Sequence, residues 1–498
     1  MNRRNLWLFL TMLCVLPLAR ARAEVSLPVL FSNGMLLQRD LPIHVWGRSA
    51  PAEKVSVTFR GETKSDVADD LGRWQLYLSP VAPGGPYEIT VSGSNQIVIH
   101  NVLVGDVWVA SGQSNMEFKM RQLDNPQAEI VAAKFPQIHI MRIKHGYSDY
   151  PLTDAVADQH WAEVSPESVS QFSAVAYYFA REIHQKEKVP IGIIESDWGG
   201  TVAEAWTSMD ALASDAALMP VFASRGNMMD AEAENLLVDP IQQAEIAKAK
   251  STGLPPPKFP WHPLEQMWAP AQLYNAMIAP ITPYAIRGVI WYQGESNSKL
   301  NRAPSYERLF QTLIGSWRDQ WAVGDFPFLY VQISSFTSDA TEDWAMIREA
   351  QLRALQLRNT AMAVTIDIGN PDDVHPKDKV DVGHRLALAA RAMVYGEPVE
   401  YSGPLVRQVT RDDHSLRVWF DHAAGLQSKG GAPTSFEIAG ADGKFVPADA
   451  HIDGRTIVVS SATVAVPVKV RYGWANSPNC NLFNGEGLPA SPFLGESK

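Results

Sequence analysis

Five short stretches of this chain are apolar residue after residue, with no polar alternation: Val107-Trp108-Val109-Ala110, Ile191-Gly192-Ile193-Ile194, Val289-Ile290-Trp291-Tyr292, Phe328-Leu329-Tyr330-Val331 and Ala363-Val364-Thr365-Ile366. A strand that reads this way is covered on both faces, which is the condition of strands in a parallel sheet with crossover helices packed above and below. Helical patterns lie between these runs. Ser168 with Gln171 reads as a capping box ahead of Phe172, Val175, Phe179 and Ile183 at helical spacing. A second helix is expected over 344–358, and a third after Asp378, with Val382, Leu386 and Met393 on one face. The expectation for 102–396 is therefore an α/β domain with a mostly parallel sheet and helices on both faces.

The flanks have a different style. Between 24 and 101, Ile43-His44-Val45-Trp46, Val55-Ser56-Val57-Thr58-Phe59, Trp74-Gln75-Leu76-Tyr77-Leu78 and Tyr87-Glu88-Ile89-Thr90-Val91 are separated by turn signals such as Asp70-Leu71-Gly72 and Pro83-Gly84-Gly85-Pro86. That spacing predicts a small sandwich-like β domain. Alternation returns over 397–498, in Leu416-Arg417-Val418-Trp419-Phe420, Thr456-Ile457-Val458-Val459 and Val468-Lys469-Val470-Arg471-Tyr472, and predicts a second β region. An acidic, Ala-rich stretch over 211–263, ending in Pro255-Pro256-Pro257, reads as an insertion, part helix and part rigid linker. A length of 498 residues with 46% hydrophobic composition accommodates this many cores.

Residues 1–23 have the form of an export signal: Arg3 and Arg4 lead, an apolar run follows, and Ala21-Arg22-Ala23 supplies small residues for cleavage. The apolar run is too short for a membrane-spanning helix, so the expected product is exported, periplasmic or extracellular, with no membrane attachment after cleavage. Removing the segment takes away four Arg and no acid, which moves the formal charge from -11 to -15. With no Lys or Arg run in the chain, nucleic acid and anionic membranes are excluded as expected partners. Cys14 leaves with the signal, so Cys480 is alone and no intrachain disulfide is available.

In an open parallel sheet, ligands bind beyond the carboxyl ends of the strands. The first run is followed by Ser111-Gly112-Gln113-Ser114-Asn115-Met116, which places Ser114 where a strand turns toward a helix. Such a serine is either an N-cap or a nucleophile, and a nucleophile needs a base held by an acceptor on its other ring nitrogen. The last run is followed by Asp367-Ile368-Gly369-Asn370-Pro371-Asp372-Asp373-Val374-His375-Pro376, where one turn brings Asp372 to His375. The other Asp-x-x-His pair, Asp381 and His384, lies within a predicted helix and is assigned to structure. Two more strand ends, Glu195-Ser196-Asp197-Trp198-Gly199-Gly200-Thr201 and Gln293-Gly294-Glu295-Ser296-Asn297, bring backbone and amide donors to the same edge.

These blocks, from Gly105-Asp106-Val107-Trp108 through Gly112-Gln113-Ser114-Asn115-Met116, then Trp198-Gly199-Gly200-Thr201, Ile290 to Asn297, and Val374-His375-Pro376-Lys377, resemble the sialate O-acetylesterase family within the SGNH hydrolases. The resemblance runs to the ending Asn484-Gly485-Glu486-Gly487-Leu488-Pro489. It implies a flavodoxin-like SGNH sheet, a nucleophile at Ser114, a base at His375 and an acid at Asp372, with Asp373 its competitor. The oxyanion hole implied is the N–H of Ser114, an N–H of Gly199 or Gly200, and a side-chain donor. The SGNH Asn is missing from Gly294-Glu295-Ser296, so that donor falls on Gln293, with Asn297 in reserve. Gln113, Asn115, Trp198, Glu295 and Asn297 are the substrate contacts implied, and the reaction is removal of acetyl groups from an O-acetylated carbohydrate, without metal or cofactor.

Acetylated xylan or xyloglucan is the alternative substrate. An α/β-hydrolase elbow fits less well, since Met116 stands where its second Gly belongs, and a paired-carboxylate glycosidase would leave Ser114 without a role. From a different class, a non-catalytic carbohydrate-binding protein is suggested by fifteen Trp residues, of which a few among Trp198, Trp206, Trp291 and Trp344 would contact sugar.

Overall fold

The computed structural model describes residues 24–222, 240–257 and 264–497; the expected signal segment and part of the 211–263 insertion lie outside them. At the centre is a sheet of seven strands: β1 (Gln96–Gly112), β2 (Phe135–Ile143), β3 (Ala157–Val164), β4 (Ile191–Asp197), β5 (Gly288–Tyr292), β6 (Phe328–Gln332) and β7 (Thr360–Val364), in the order β7-β6-β5-β1-β4-β2-β3. All neighbours are parallel except β2 and β3. Four of the apolar runs lie in β1, β4, β5 and β6, and the fifth overlaps β7 only at Ala363 and Val364, since that strand starts earlier and ends at Val364; every residue of β4 to β7 is buried, as both-face coverage requires.

Five helices matter for the site: α1 (Ser114–Glu117), α2 (Ala174–Glu187), α3 (Ala303–Trp321), α4 (Trp344–Arg353) and α5 (Lys379–Met393). Trp108 and Ser111 are three apart on β1 and so point to opposite faces. Trp108 meets Phe179 of α2 edge to face at 5.0 Å, whereas Trp291, in register with Ser111, meets Trp317 of α3 at 5.7 Å. One face therefore carries α2 and the other α3. Gly383 of α5 seats that helix on α2, since a Cβ there would lie 2.6 Å from the Tyr178 side chain.

Two helix boundaries differ from expectation. Ser168 does not open the long helix; it reciprocates the Ser165 cap of a short helix, Pro166–Val169. The cap of α2 is Ser173, whose Oγ accepts from the Ala176 N–H at 3.2 Å and donates to the Met116 carbonyl at 2.6 Å, a tertiary contact with the turn after β1. α4 ends at Arg353 and continues only as a 3-10 turn, Ala354–Gln356, instead of reaching 358.

β1 is 17 residues long and serves two sheets. Its first part pairs antiparallel with Gly84–Ser92 of the N-terminal β region, and its last part runs parallel between β4 and β5. The expected boundary at 101/102 lies inside this strand, marked only by a φ of 56° at Asn101. Beyond it, buried Asp106 gathers donors from three regions: Arg39 at 2.9 and 3.0 Å, Arg287 at 2.8 Å, the Tyr395 hydroxyl at 2.9 Å and Gln38 at 3.2 Å.

The C-terminal antiparallel sheets, within 405–496, enclose a core of their own that includes Leu416, Val418, Ile438, Ile457 and Tyr472. Buried Arg348 of α4 joins that region to the central sheet by donating to the carbonyls of Ile333, Ser334, Ala475 and Asn476. Among the described residues no helix is long and apolar enough to cross a membrane.

Candidate active site

The turn that carries Ser114 begins at Gly112, where the backbone has a φ of 139° and a Cβ would lie 2.1 Å from the Tyr292 carbonyl oxygen. Only glycine fits so close to β5. Gln113 then donates its N–H to that carbonyl at 2.9 Å, while its Oε1 accepts from the N–H groups of Gly294 and Ser296 at 3.4 and 3.2 Å. The turns after β1 and β5 are thereby locked together, and Gln113 is buried as a strut between them. Ser114 follows at the start of α1, half-buried. It faces a cleft of about 360 Å³ whose walls also include Glu117, Phe118, Lys119, His375 and Lys377.

His375 reaches this cleft from the loop after β7. Its Nδ1 is 3.7 Å from Asp373 Oδ1, and the same carboxylate oxygen accepts the His375 backbone N–H at 2.9 Å. Asp372 is exposed, and its backbone N–H donates to Asn370 Oδ1 at 2.9 Å. Of the two candidate acids, Asp373 is thus the one placed beside the imidazole. Burial and the nearby Lys379 ammonium lower the His375 pKa below its ordinary 6.5, although Asp373 opposes them.

Asn115 links the two halves. Fully buried, it donates Nδ2 to the Val374 carbonyl at 3.0 Å and to Glu295 Oε1 at 2.6 Å, and its Oδ1 accepts from Lys379 Nζ at 2.5 Å. Glu295 is held up above its ordinary pKa by burial. Asn115 and Glu295 are thus buried and do not line the cleft.

The donor loops are arranged less simply than their sequences suggest. Gly199 packs directly on Ser114, since a Cβ there would lie 3.2 Å from Ser114 Cβ, and its N–H donates to Glu117 Oε2 at 2.6 Å. The Gly200 carbonyl accepts from Trp268 Nε1 at 2.6 Å. Gln293 is fully buried and its Nε2 donates to the Thr201 carbonyl at 3.2 Å and to Asn297 Oδ1 at 2.7 Å, so its amide hydrogens are occupied away from Ser114. Asn297 is equally committed: Oδ1 also accepts from the Ala203 N–H at 2.9 Å, and Nδ2 donates to Glu204 Oε2 at 2.9 Å. Both brace the loop after β4 against the loop after β5.

Beneath Gly199 lies a group of charges that sequence reading missed. Glu195 and Asp197 are buried at the end of β4, and Lys119 Nζ sits 2.8 Å from Glu195 and 3.9 Å from Glu117. Burial, with Glu195 close by, pushes Asp197 well above the ordinary carboxylate range, and Asp197 Oδ2 has no hydrogen-bond partner. Glu117, His145 and Asp197 each offer a ligand atom within 4.8 Å of the others and could hold a small cation, though Lys119 already brings a positive charge to the group. The His145 ring stacks on Trp198 at 4.5 Å, which fixes the half-buried indole at the edge of the Gly199 loop. A signal for Glu117 existed in the sequence: it follows Ser114 by three residues, one helical turn.

The other indoles considered for sugar contact, Trp206, Trp291 and Trp344, are at most 2% exposed and belong to the core. Asp381 and His384 do not pair with each other; His384 Nδ1 lies 2.7 Å from Glu182 and Asp381 3.6 Å from Arg385, so both are structural. Burial pushes the Cys480 thiol up to about 11, which leaves it a poor nucleophile.

A family model described as carbohydrate esterase, sialic acid-specific acetylesterase matches residues 261–392. Human sialate O-acetylesterase (Homo sapiens) is 30% identical over 519 residues, a match that covers 93% of this chain and 91% of the human protein. The mouse enzyme (Mus musculus) is also 30% identical, with 93% of each chain covered. Among solved structures, a carbohydrate acetylesterase from Xanthomonas citri matches with a TM-score of 0.81 and 37% identity, covering 95% of this chain and 100% of that one. The α/β sheet, the serine cleft at its carboxyl edge and these likenesses together define an esterase. The chain belongs to the sialate O-acetylesterase family.

Proposed function

We propose that this chain is an exported carbohydrate O-acetylesterase of SGNH type, with Ser114 as nucleophile and His375 as general base. The observation that carries this reading is that Ser114 and His375, on loops after the first and last strands of the parallel sheet, line one cleft. Export is supported by the tripartite pattern of residues 1–23. An O-acetylated carbohydrate is supported as substrate by the relatives' names, sialate O-acetylesterase and carbohydrate acetylesterase.

His375 takes the Ser114 proton as the hydroxyl attacks the acetyl carbonyl. The C–O bond to the sugar then breaks and the sugar alkoxide leaves with that proton. Water, activated by the same imidazole, hydrolyses the acetyl-enzyme, releasing acetate and restoring the serine. Asp373 holds the imidazole, in preference to Asp372. The Ser114 and Gly199 N–H groups receive the oxyanion, which displaces Glu117 from Gly199; a donor of this kind contributes about 3–4 kcal/mol to lowering such barriers. Gln293 supports this hole from behind and does not donate to it.

The test is acetate release by the purified protein from O-acetyl sialic acid, with acetylated xylo-oligosaccharides as the comparison. Ser114→Ala and His375→Ala are expected to fold like the wild type and to lose at least about a thousandfold in kcat/KM. Release at the wild-type rate by either variant overturns the reading.

A further inference from the structure

Lys379 is the first residue of α5, and its side chain is fully buried. Its ammonium donates to Asn115 Oδ1 at 2.5 Å and lies over the rings of Phe118 at 4.9 Å and Tyr292 at 5.4 Å. Asn115 is the residue next to Ser114, and its Nδ2 holds the carbonyl of Val374, the residue next to His375. One buried cation thus reaches the residue next to Ser114 through one hydrogen bond and the residue next to His375 through a second. An unpaired buried ammonium is costly, so a chain retains one at such a point only where Asn115, the two rings and Glu295 jointly stabilise it.

We propose that Lys379 is a positioning residue of this esterase, which holds the Ser114 turn and the His375 loop in register through Asn115 and whose charge sets the pH range in which His375 acts as base. This rests on the assignment of Ser114 and His375 made above. The groups facing His375 are Asp373, Lys377 and Lys379 from its own loop and helix and Glu117 from the nucleophile turn. Those facing Lys379 are Glu295 from the turn after β5, with Asp373, Lys377 and Asp378 nearer in sequence.

The sign follows from these neighbours. Burial brings Lys379 down to about 7, so it is charged over the more acidic range in which His375, depressed below 6.5, loses its proton. A neighbouring cation disfavours the imidazolium, and removing it raises the pKa of the imidazole.

The experiment is the pH profile of kcat/KM for the full chain and for Lys379→Met and Lys379→Gln, with folding checked by circular dichroism. Both variants are expected to move the acidic limb upward by roughly 0.5–1 pH unit. Plateau kcat should fall further in the Met variant, about 10- to 100-fold, than in the Gln variant, which keeps a donor for Asn115. A loss of kcat with the limb unmoved in both would show a merely structural lysine and overturn the proposal. Should the Met variant not fold, the Gln variant carries the comparison alone. Independently, the pH dependence of fluorophosphonate labelling of the wild type must show a limb below 6.5, and a limb at or above that value also overturns it. Retained turnover in Ser114→Ala or His375→Ala would instead remove the underlying assignment.

Discussion

His375 has carboxylates two and three residues before it, and their surroundings separate them. Asp373 receives the His375 backbone N–H and lies 3.7 Å from its ring, while Asp372 points to solvent. A carboxylate beside an imidazole orients it and supports the imidazolium that forms during attack. Asp373→Asn is therefore expected to lower kcat/KM about 10- to 100-fold, less than for a buried triad acid because Asp373 is 39% exposed and partly solvated. It should also move the acidic limb downward, since Asp373 raises the His375 pKa, opposite in direction to loss of Lys379. Asp372→Asn should stay within about twofold of wild type. Side-by-side pH–rate profiles of the two variants check both statements.

At the level of elements, the turn from β1 to α1 depends on close contact with β5. Gly112→Ala would drive a methyl group into the Tyr292 carbonyl at a φ of 139°, and a destabilisation of about 3 kcal/mol or more is expected, visible as a lower denaturation midpoint. The strands that make this contact were legible in sequence because burial on both faces leaves a compositional mark on each residue. The start of α2 was not: Ser168 and Ser173 are locally equivalent caps, and only Ser173 also bonds to Met116. That Ser114 and His375 would meet at one edge of the sheet was legible from their positions after the first and last apolar runs. Gln293 was misplaced as a donor because the partners of its amide, Thr201 and Asn297, come from loops whose mutual approach no local pattern encodes. Lys379 escaped notice for a similar reason: four residues after His375 in an apparently solvated helix start, it turns inward to an asparagine that follows the central strand of the sheet.

For the whole molecule, Asp106 is the junction of the N-terminal region, the central sheet and the segment after α5. Burial raises its pKa, but Arg39 and Arg287 outweigh this and hold it below the ordinary 3.8. Its contribution to stability is therefore complete above that value and is lost as pH falls through the lower folded-state pKa. Asp106→Asn is expected to cost about 3–5 kcal/mol at neutral pH by leaving buried guanidinium groups uncompensated, and the difference from wild type should shrink on acidification below about pH 4. Denaturant titrations at the two pH values measure it.

The strand that continues from Gln96 to Gly112 makes the front module and the catalyst a single inheritance. A chain trimmed to begin near residue 102 would leave Gly84–Ser92 behind and present Val102 and Val104, both buried in the intact protein, as a bare edge. Graft or deletion at that seam would tug on the same backbone that delivers Ser114 twelve residues later, so the module cannot be exchanged as a detachable accessory.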